Sequence, residues 1–416
     1  MNEKPIEWVE NPFKNQDNEF KAVKEFLPPE LVRKIRSFHR QIPGYRMSPL
    51  KGLSNLSVRL GLGGIWVKDE SARLNLQSFK VLGGSYAIYK LIQKRLGLED
   101  QEVSFSDLTS GVMREKLGDL TFAAATDGNH GRGVAWSAKQ MGFKSVIYVH
   151  KLTSPARIRT IEGNGAKVVV VDGNYDDAVR QVEIDAETNG WQVISDTSWE
   201  GYEDIPRWVM QGYSTMLSEV QEQLAAQGLS KPTHVFIQAG VGSLAAATTG
   251  FYASLFGNAR PKTIVVEPTR AACLYHSVKM GDGQPYTVDG DLNTIMAGLA
   301  CGEPNPIAWQ ILKDTADYFA ICPDYAAAMG MRVYGVPMHE DPAIISGESG
   351  AVTLGALMYI SKLATMKDLR NQLDLGLDSH VLLINTEGNT SPDDFRYVVW
   401  EGGIPVPSEY KMYSRR

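Results

Sequence analysis

Short β-branched runs recur along this chain, each followed by a stretch of helical periodicity, and this alternation restricts the possible folds more than any other feature. Val168-Val169-Val170-Val171 is continuously apolar, as strands buried on both faces by crossover helices are. Comparable runs predict strands at 65–68, 121–126, 145–149, 167–171, 193–195, 234–238, 263–267 and 381–385. Helical patterns fill 81–96, 132–141, 154–164, 176–188, 205–227, 244–255 and 350–363. Strand and helix in alternation predict an open α/β sheet. The polar 99–119 stretch loses the rhythm and reads as a surface excursion. Residues 281–291, rich in Gly and Asp, read as a loop and a candidate lid; 410–416 read as a frayed tail. The polar 196–204 segment, followed by Pro206, marks a division near Ile205. A central block then forms one α/β unit, and the flanking segments form another.

At 416 residues, 43% hydrophobic and 22% charged, the chain has the composition of a globular protein of two or three domains. The net charge of −6 is dispersed, with no basic stripe, which argues against a nucleic-acid partner. Cys273, Cys301 and Cys322 are far apart and form no CxxC pair, so neither a metal site nor a disulfide framework is expected. Buried thiols are the expected state, although a Cys273–Cys301 bridge is not decided by spacing. Residues 1–7 have no basic or apolar leader pattern, and no stretch approaches the ~20 apolar residues of a membrane span. A cytoplasmic protein is expected.

Three motifs carry chemistry. Lys80 follows Ser78-Phe79 and opens a helical stretch, which puts an amine near a helix N-terminus, where dipole and desolvation favour the neutral, nucleophilic form. A solvated helix lysine is the plain alternative. Gly240-Val241-Gly242-Ser243-Leu244 lies between a strand and a helix, where backbone N–H groups can face an anion; a tight turn is the alternative. It lacks the Gly-Lys-Ser/Thr of a Walker loop and the full dinucleotide fingerprint. Thr126-Asp127-Gly128-Asn129-His130 also joins strand to helix and offers Asn129 as a donor to a phenolate oxygen, or an Asx turn and helix cap. A Schiff-base lysine, a phosphate cradle and a phenolate donor together are what pyridoxal 5′-phosphate requires.

With these motifs in this order, the chain resembles the fold type II pyridoxal-phosphate enzymes, the group of the serine and threonine dehydratases and the tryptophan synthase β chain. The likeness rests on Ser78-Phe79-Lys80, Gly128-Asn129-His130, the 240–244 loop and Val381–Asn389, and spans 65–390. It implies two open, twisted, mostly parallel sheets flanked by helices, with the active site in the interdomain cleft. Segments 1–84 and 203–416 would form a large cofactor-binding domain and 85–202 a small α/β domain. It also implies Phe79, Asn129 and the 240–244 loop as cofactor contacts, Thr386 as the hydroxyl partner of the pyridine nitrogen, and a homodimer.

Ala125–Trp136, Gly173–Asp177, Ser195–Tyr202, Met210–Tyr213 and Gly298–Pro304 are similar to the diaminopropionate ammonia-lyases within that group. That resemblance implies α,β-elimination of an amino acid substrate, D- and L-2,3-diaminopropionate, to pyruvate and two ammonia. A second amine that must leave calls for carboxylates, and Asp127 and Asp196 are available. Two enantiomers present their α-protons to opposite faces, so Lys80 is expected as base for the L isomer and Asp127 for the D isomer. Asp196 is expected to hold the distal amine, order water or cap a helix. His130 is expected to pack or cap. Glu348 could face the ring or start a helix. A serine or threonine dehydratase, a non-catalytic pyridoxal-phosphate binder and a nucleotide-binding protein are the competing readings.

Overall fold

Parallel pairing demands that each strand be joined to the next by a long crossover, and the chain obeys this almost throughout. The computed structural model describes residues 6–15, 20–99, 101–126, 128–151, 153–173 and 175–413. Among them are eleven strands: β1 Glu7–Glu10, β2 Leu50–Gly52, β3 Gly64–Asp69, β4 Thr121–Thr126, β5 Lys144–His150, β6 Lys167–Val171, β7 Gln192–Val193, β8 His234–Gln238, β9 Lys262–Pro268, β10 Tyr318–Cys322 and β11 His380–Asn385. They form two sheets flanked by helices, ordered β1-β10-β9-β8-β11-β3-β2 and β6-β5-β4-β7. The four-stranded sheet is wholly parallel. In the seven-stranded sheet only the edge pairs β1–β10 and β2–β3 are antiparallel.

The chain divides into two compact units, Met1–Phe26 with Ser48–Ala72 and Glu219–Arg416, and Leu27–Met47 with Arg73–Ser218. These bounds differ from the expected 85–202 block. Segment Leu27–Met47 joins the second unit because its helix, Pro29–Arg40, packs on helix Lys80–Leu96: Phe38 stacks on Tyr89 with centroids 4.2 Å apart, and His39 Nε2 lies 3.0 Å from the Leu82 carbonyl. The division falls after Ser218, inside the expected 205–227 helix, which is itself two helices, Asp204–Gly212 and Ser214–Ala225, meeting at Tyr213.

β6 corrects a second expectation. The Val168–Val171 run is an outer strand paired only with β5, and Val170 is 55% exposed. An apolar run does not reveal whether a sheet neighbour lies on both sides. β1, β2 and β10 escaped the pattern: the first two are short edges, and Tyr318–Cys322 is too short for periodicity to separate strand from helix. The 99–119 excursion contains two short helices, each capped by a serine hydroxyl, Ser104 and Ser110. Loop 281–291 is anchored rather than loose: Trp309 Nε1 donates to the Gly283 carbonyl at 2.9 Å, and Val288 N–H donates to the Gly302 carbonyl at 2.9 Å. Tyr410, expected in the tail, stacks on Tyr325 at 6.0 Å.

In the first unit, helices Asp324–Gly335 and Glu348–Lys362 cross at van der Waals range, because glycine stands at both contacts. A Cβ on Gly355 would lie 2.0 Å from the Ala326 carbonyl oxygen, and one on Gly330 would lie 2.1 Å from that of Ala351. The same unit buries the Lys68 ammonium, which donates to Glu219 (2.7 Å), the Ser48 carbonyl (2.8 Å) and Gln223 (2.9 Å). Charges out of water persist only when every polar valence is met, as here. Glu267 is the carboxyl counterpart. Burial pushes its pKa up to about 8, against backbone hydrogen bonds from Leu274 and Tyr275 at the start of helix Cys273–Met280.

Two outcomes follow from this packing. Gly355→Leu should lower unfolding stability by about 1–3 kcal/mol in urea titrations, because neither helix can withdraw. The raised Glu267 pKa means the folded state retains a proton that the unfolded state releases above its ordinary value of 4.5. That contribution to stability is complete below about pH 4.5 and is lost as pH rises toward 8. Denaturation between pH 5 and 8 should show the downward slope, and Glu267→Gln should flatten it.

Candidate active site

Lys80 is the first residue of helix Lys80–Leu96, as its motif predicts. It is not the bare amine that a helix N-terminus alone implies. Its Nζ donates to Asp196 Oδ2, and the pair is largely shielded from solvent, with side-chain exposures of 19% and 6%. Asp196 follows β7, and Tyr175 Oη donates to its Oδ1 at 3.2 Å. His130 Nδ1 lies 3.9 Å from Oδ2. Burial opposes ionisation of Asp196, but the charges of Lys80 and His130 and the hydrogen bonds from Lys80 and Tyr175 outweigh it and hold the carboxyl well below the usual carboxylate range. Asp196 is therefore a fixed anion beside the lysine.

His130 Nε2 lies 2.7 Å from the Ile194 carbonyl, which suits the expected packing role. Asn129 begins helix Asn129–Gln140 and is buried. The turn before it is shaped by Thr126, whose hydroxyl accepts from Gly128 N–H at 2.8 Å and Gly131 N–H at 2.9 Å. Asp127 lies outside the described residues. Phe79 is buried with its ring 4.7 Å from that of Tyr213, edge to face, and Lys80 Nζ is 5.8 Å from the Phe79 centroid. Tyr175 belonged to a recognised motif but had no assigned role. The available signal was its position, an aromatic hydroxyl opening a helix just past the end of a parallel strand.

In the other unit, the 240–244 segment joins β8 to helix Ser243–Phe256. Gly242 has φ +99°, a conformation that favours glycine, and turns the chain into the helix. No side chain caps this N-terminus. Ser243 Oγ accepts from Asn305 Nδ2 at 3.0 Å, and Val241 O accepts from Asn305 N–H at 2.8 Å, so Asn305 braces the loop. A Cβ on Gly240 would come within 3.1 Å of Cys301 Sγ and 3.2 Å of Leu299 Cα. Cys273, Cys301 and Cys322 are all free thiols. Thr386 follows β11 and is buried; its Oγ1 accepts from Gln238 Nε2 at 2.9 Å. Local sequence marks Gln238 only as the end of a strand. Glu348 is buried as the first residue of helix Glu348–Lys362, the helix-start alternative in structural form. Among the described residues no cluster of three or more His, Cys, Asp or Glu could hold a metal ion, and no helix is long and apolar enough to cross a membrane.

Residues 42–387 match the family model for the pyridoxal-phosphate dependent enzymes. The chain belongs to that family. Its cofactor is pyridoxal phosphate, and the residues present fit it: a lysine at a helix start, a glycine loop that a Cβ would fill and an uncapped helix N-terminus. This pyridoxal-phosphate enzyme is 48% identical over 382 residues to diaminopropionate ammonia-lyase of Salmonella typhimurium, across 92% of this chain and 95% of that one. It is also similar to the crystal structure of the Escherichia coli diaminopropionate ammonia-lyase in complex with D-serine. There the TM-score is 0.89 and the identity 42%, with 97% of this chain and 98% of the other covered. The same Escherichia coli enzyme in complex with an aminoacrylate–PLP azomethine reaction intermediate matches with TM-score 0.86 at 42% identity, covering 96% and 98%.

Proposed function

We propose that this enzyme eliminates ammonia from both isomers of 2,3-diaminopropionate, consuming one water and releasing pyruvate and two molecules of ammonia. The observation that carries the reading is the fixed anion Asp196 against the Lys80 amine. A substrate whose departing group is a β-ammonium needs such an anion, whereas a neutral hydroxyl leaving group does not. The names and bound states of the similar proteins support the same reaction.

Bound pyridoxal phosphate supplies an aldehyde carbon that joins an amine and a ring that takes up the electron pair left when Cα loses its proton. Lys80 Nζ would hold that carbon in the resting enzyme. As a free amine Lys80 would take the Cα proton of the L isomer. Asp127 takes the proton of the D isomer from the opposite side. Asp196 receives the distal ammonium that Lys80 occupies in its absence, and Tyr175 keeps the carboxylate oriented. Gly240, Val241, Gly242, Ser243 and Leu244 would hold the phosphate, where N–H groups at the helix start can meet an anion. Asn129 would donate to the phenolate oxygen, Phe79 would pack beside the ring and Thr386 would meet the ring nitrogen. The enzyme works as a cytoplasmic homodimer, a reading supported by the family likeness and testable by light scattering.

The purified protein should show an absorption band at about 410–420 nm and form pyruvate from both isomers. Lys80→Ala should lose the band, and kcat should fall at least about a thousandfold with both isomers. Asp127→Asn should lose D activity while L activity stays within about threefold; equal loss with both isomers refutes separate bases. Pyruvate from serine or threonine alone would keep the cofactor and replace the substrate. Gly240→Val should raise the cofactor dissociation constant at least about tenfold in equilibrium dialysis.

A further inference from the structure

We propose that Gln238 is a positioning residue that turns the Thr386 hydroxyl into a donor toward the cofactor's ring nitrogen and so keeps that nitrogen unprotonated. The inference rests on the assignment of Thr386 to the ring nitrogen made above. β8 and β11 are parallel neighbours, paired up to Phe236 and Leu383, and Gln238 is the last residue of β8. Its side chain is fully buried and reaches across to the end of β11. Nε2 lies 3.0 Å from the Ile384 carbonyl, 3.1 Å from the Ser349 carbonyl and 2.9 Å from Thr386 Oγ1.

Two of these three neighbours are backbone carbonyls, which only accept. The nitrogen end of the carboxamide must therefore face them, and chemistry fixes the amide's orientation. An amide nitrogen donates and does not accept. The two carbonyls can take both N–H protons, so Thr386 Oγ1 at most shares one of them; because the nitrogen accepts nothing, the Thr386 O–H proton points elsewhere in either case. Among the described residues that proton meets no acceptor, although Thr386 is only 4% exposed.

A hydroxyl held in this sense presents a proton, so it suits a ring nitrogen with its lone pair intact. A carboxylate in the same place would instead hold a proton on the nitrogen. An unprotonated ring withdraws less of the electron pair left at Cα, and more of that pair is available to expel the β-amine. Gln238 thus sets the ring's character through Thr386, without touching the ring.

The test is a double-mutant cycle on cofactor affinity. Apoenzymes of the wild type, Thr386→Val, Gln238→Leu and the double variant are titrated with pyridoxal phosphate, following bound-cofactor absorbance. Each single change should raise the dissociation constant by about threefold to tenfold. The double variant should bind no worse than Thr386→Val alone, because Gln238 acts only through that hydroxyl. If Gln238→Leu leaves affinity unchanged, or weakens it as much in the Thr386→Val background as in the wild type, the inference is overturned. If Thr386→Val itself changes neither affinity nor band position, the assignment of Thr386 to the ring nitrogen fails instead. Should Gln238→Leu not fold, Gln238→Met takes its place. Independently, wild-type holoenzyme loaded with ring-¹⁵N pyridoxal phosphate should give the nitrogen shift of an unprotonated pyridine; a pyridinium shift overturns the inference.

Discussion

Parallel pairing is the constraint on which the rest of this protein depends. When neighbouring strands run the same way, their carboxyl ends open on one side, and the loops that leave them carry the ligand groups. Within the four-stranded unit, Asn129 follows β4, Tyr175 follows β6 and Asp196 follows β7. Within the seven-stranded unit, the glycine loop follows β8 and Thr386 follows β11. Within each unit, residues 21 to 146 positions apart come to strand ends that the sheet aligns, which local propensity alone could not achieve.

Electrostatics then refines what topology has gathered. The resting lysine is paired with a carboxylate that remains ionised because the Lys80 ammonium, the neighbouring His130 and a phenol outweigh its burial. Glu267, equally buried but facing only backbone N–H groups and a thiol, is driven the other way. The contrast separates two roles for buried carboxyl groups. An acid with a full cationic partner serves as a charge at all working pH values, whereas an acid lacking one becomes a proton store.

Much of this was legible in the residues. Strand and helix alternated openly, and Lys80, Asn129 and the 240–244 loop each sat at a strand-to-helix junction whose chemistry was recognisable. What escaped was pairwise and long-range. Nothing near Lys80 in sequence announces Asp196, 116 positions away, as its ion-pair partner. Gln238 read as one more strand residue because its meaning lies in the neighbouring strand, 148 positions on. The unit boundary was missed for the same reason: Leu27–Met47 belongs with helix Lys80–Leu96 through an aromatic stack that neither segment shows alone. The valine run was over-read, since apolarity records burial against helices but not the number of sheet neighbours.

The place of β11 has a consequence for biosynthesis. This strand, at residues 380–385, lies between β8 and β3 in the middle of the seven-stranded sheet. A nascent chain emerging from the ribosome can assemble the four-stranded unit, whose segments all precede residue 219, while β2 and β3 wait without their inner neighbour. Domains complete early can fold early, so the lysine-bearing unit is able to mature first. The sheet that carries the glycine loop closes only when a strand made more than 300 residues after β3 slides in beside it. Until then β3 presents an unpaired edge, the kind that can template pairing with another chain.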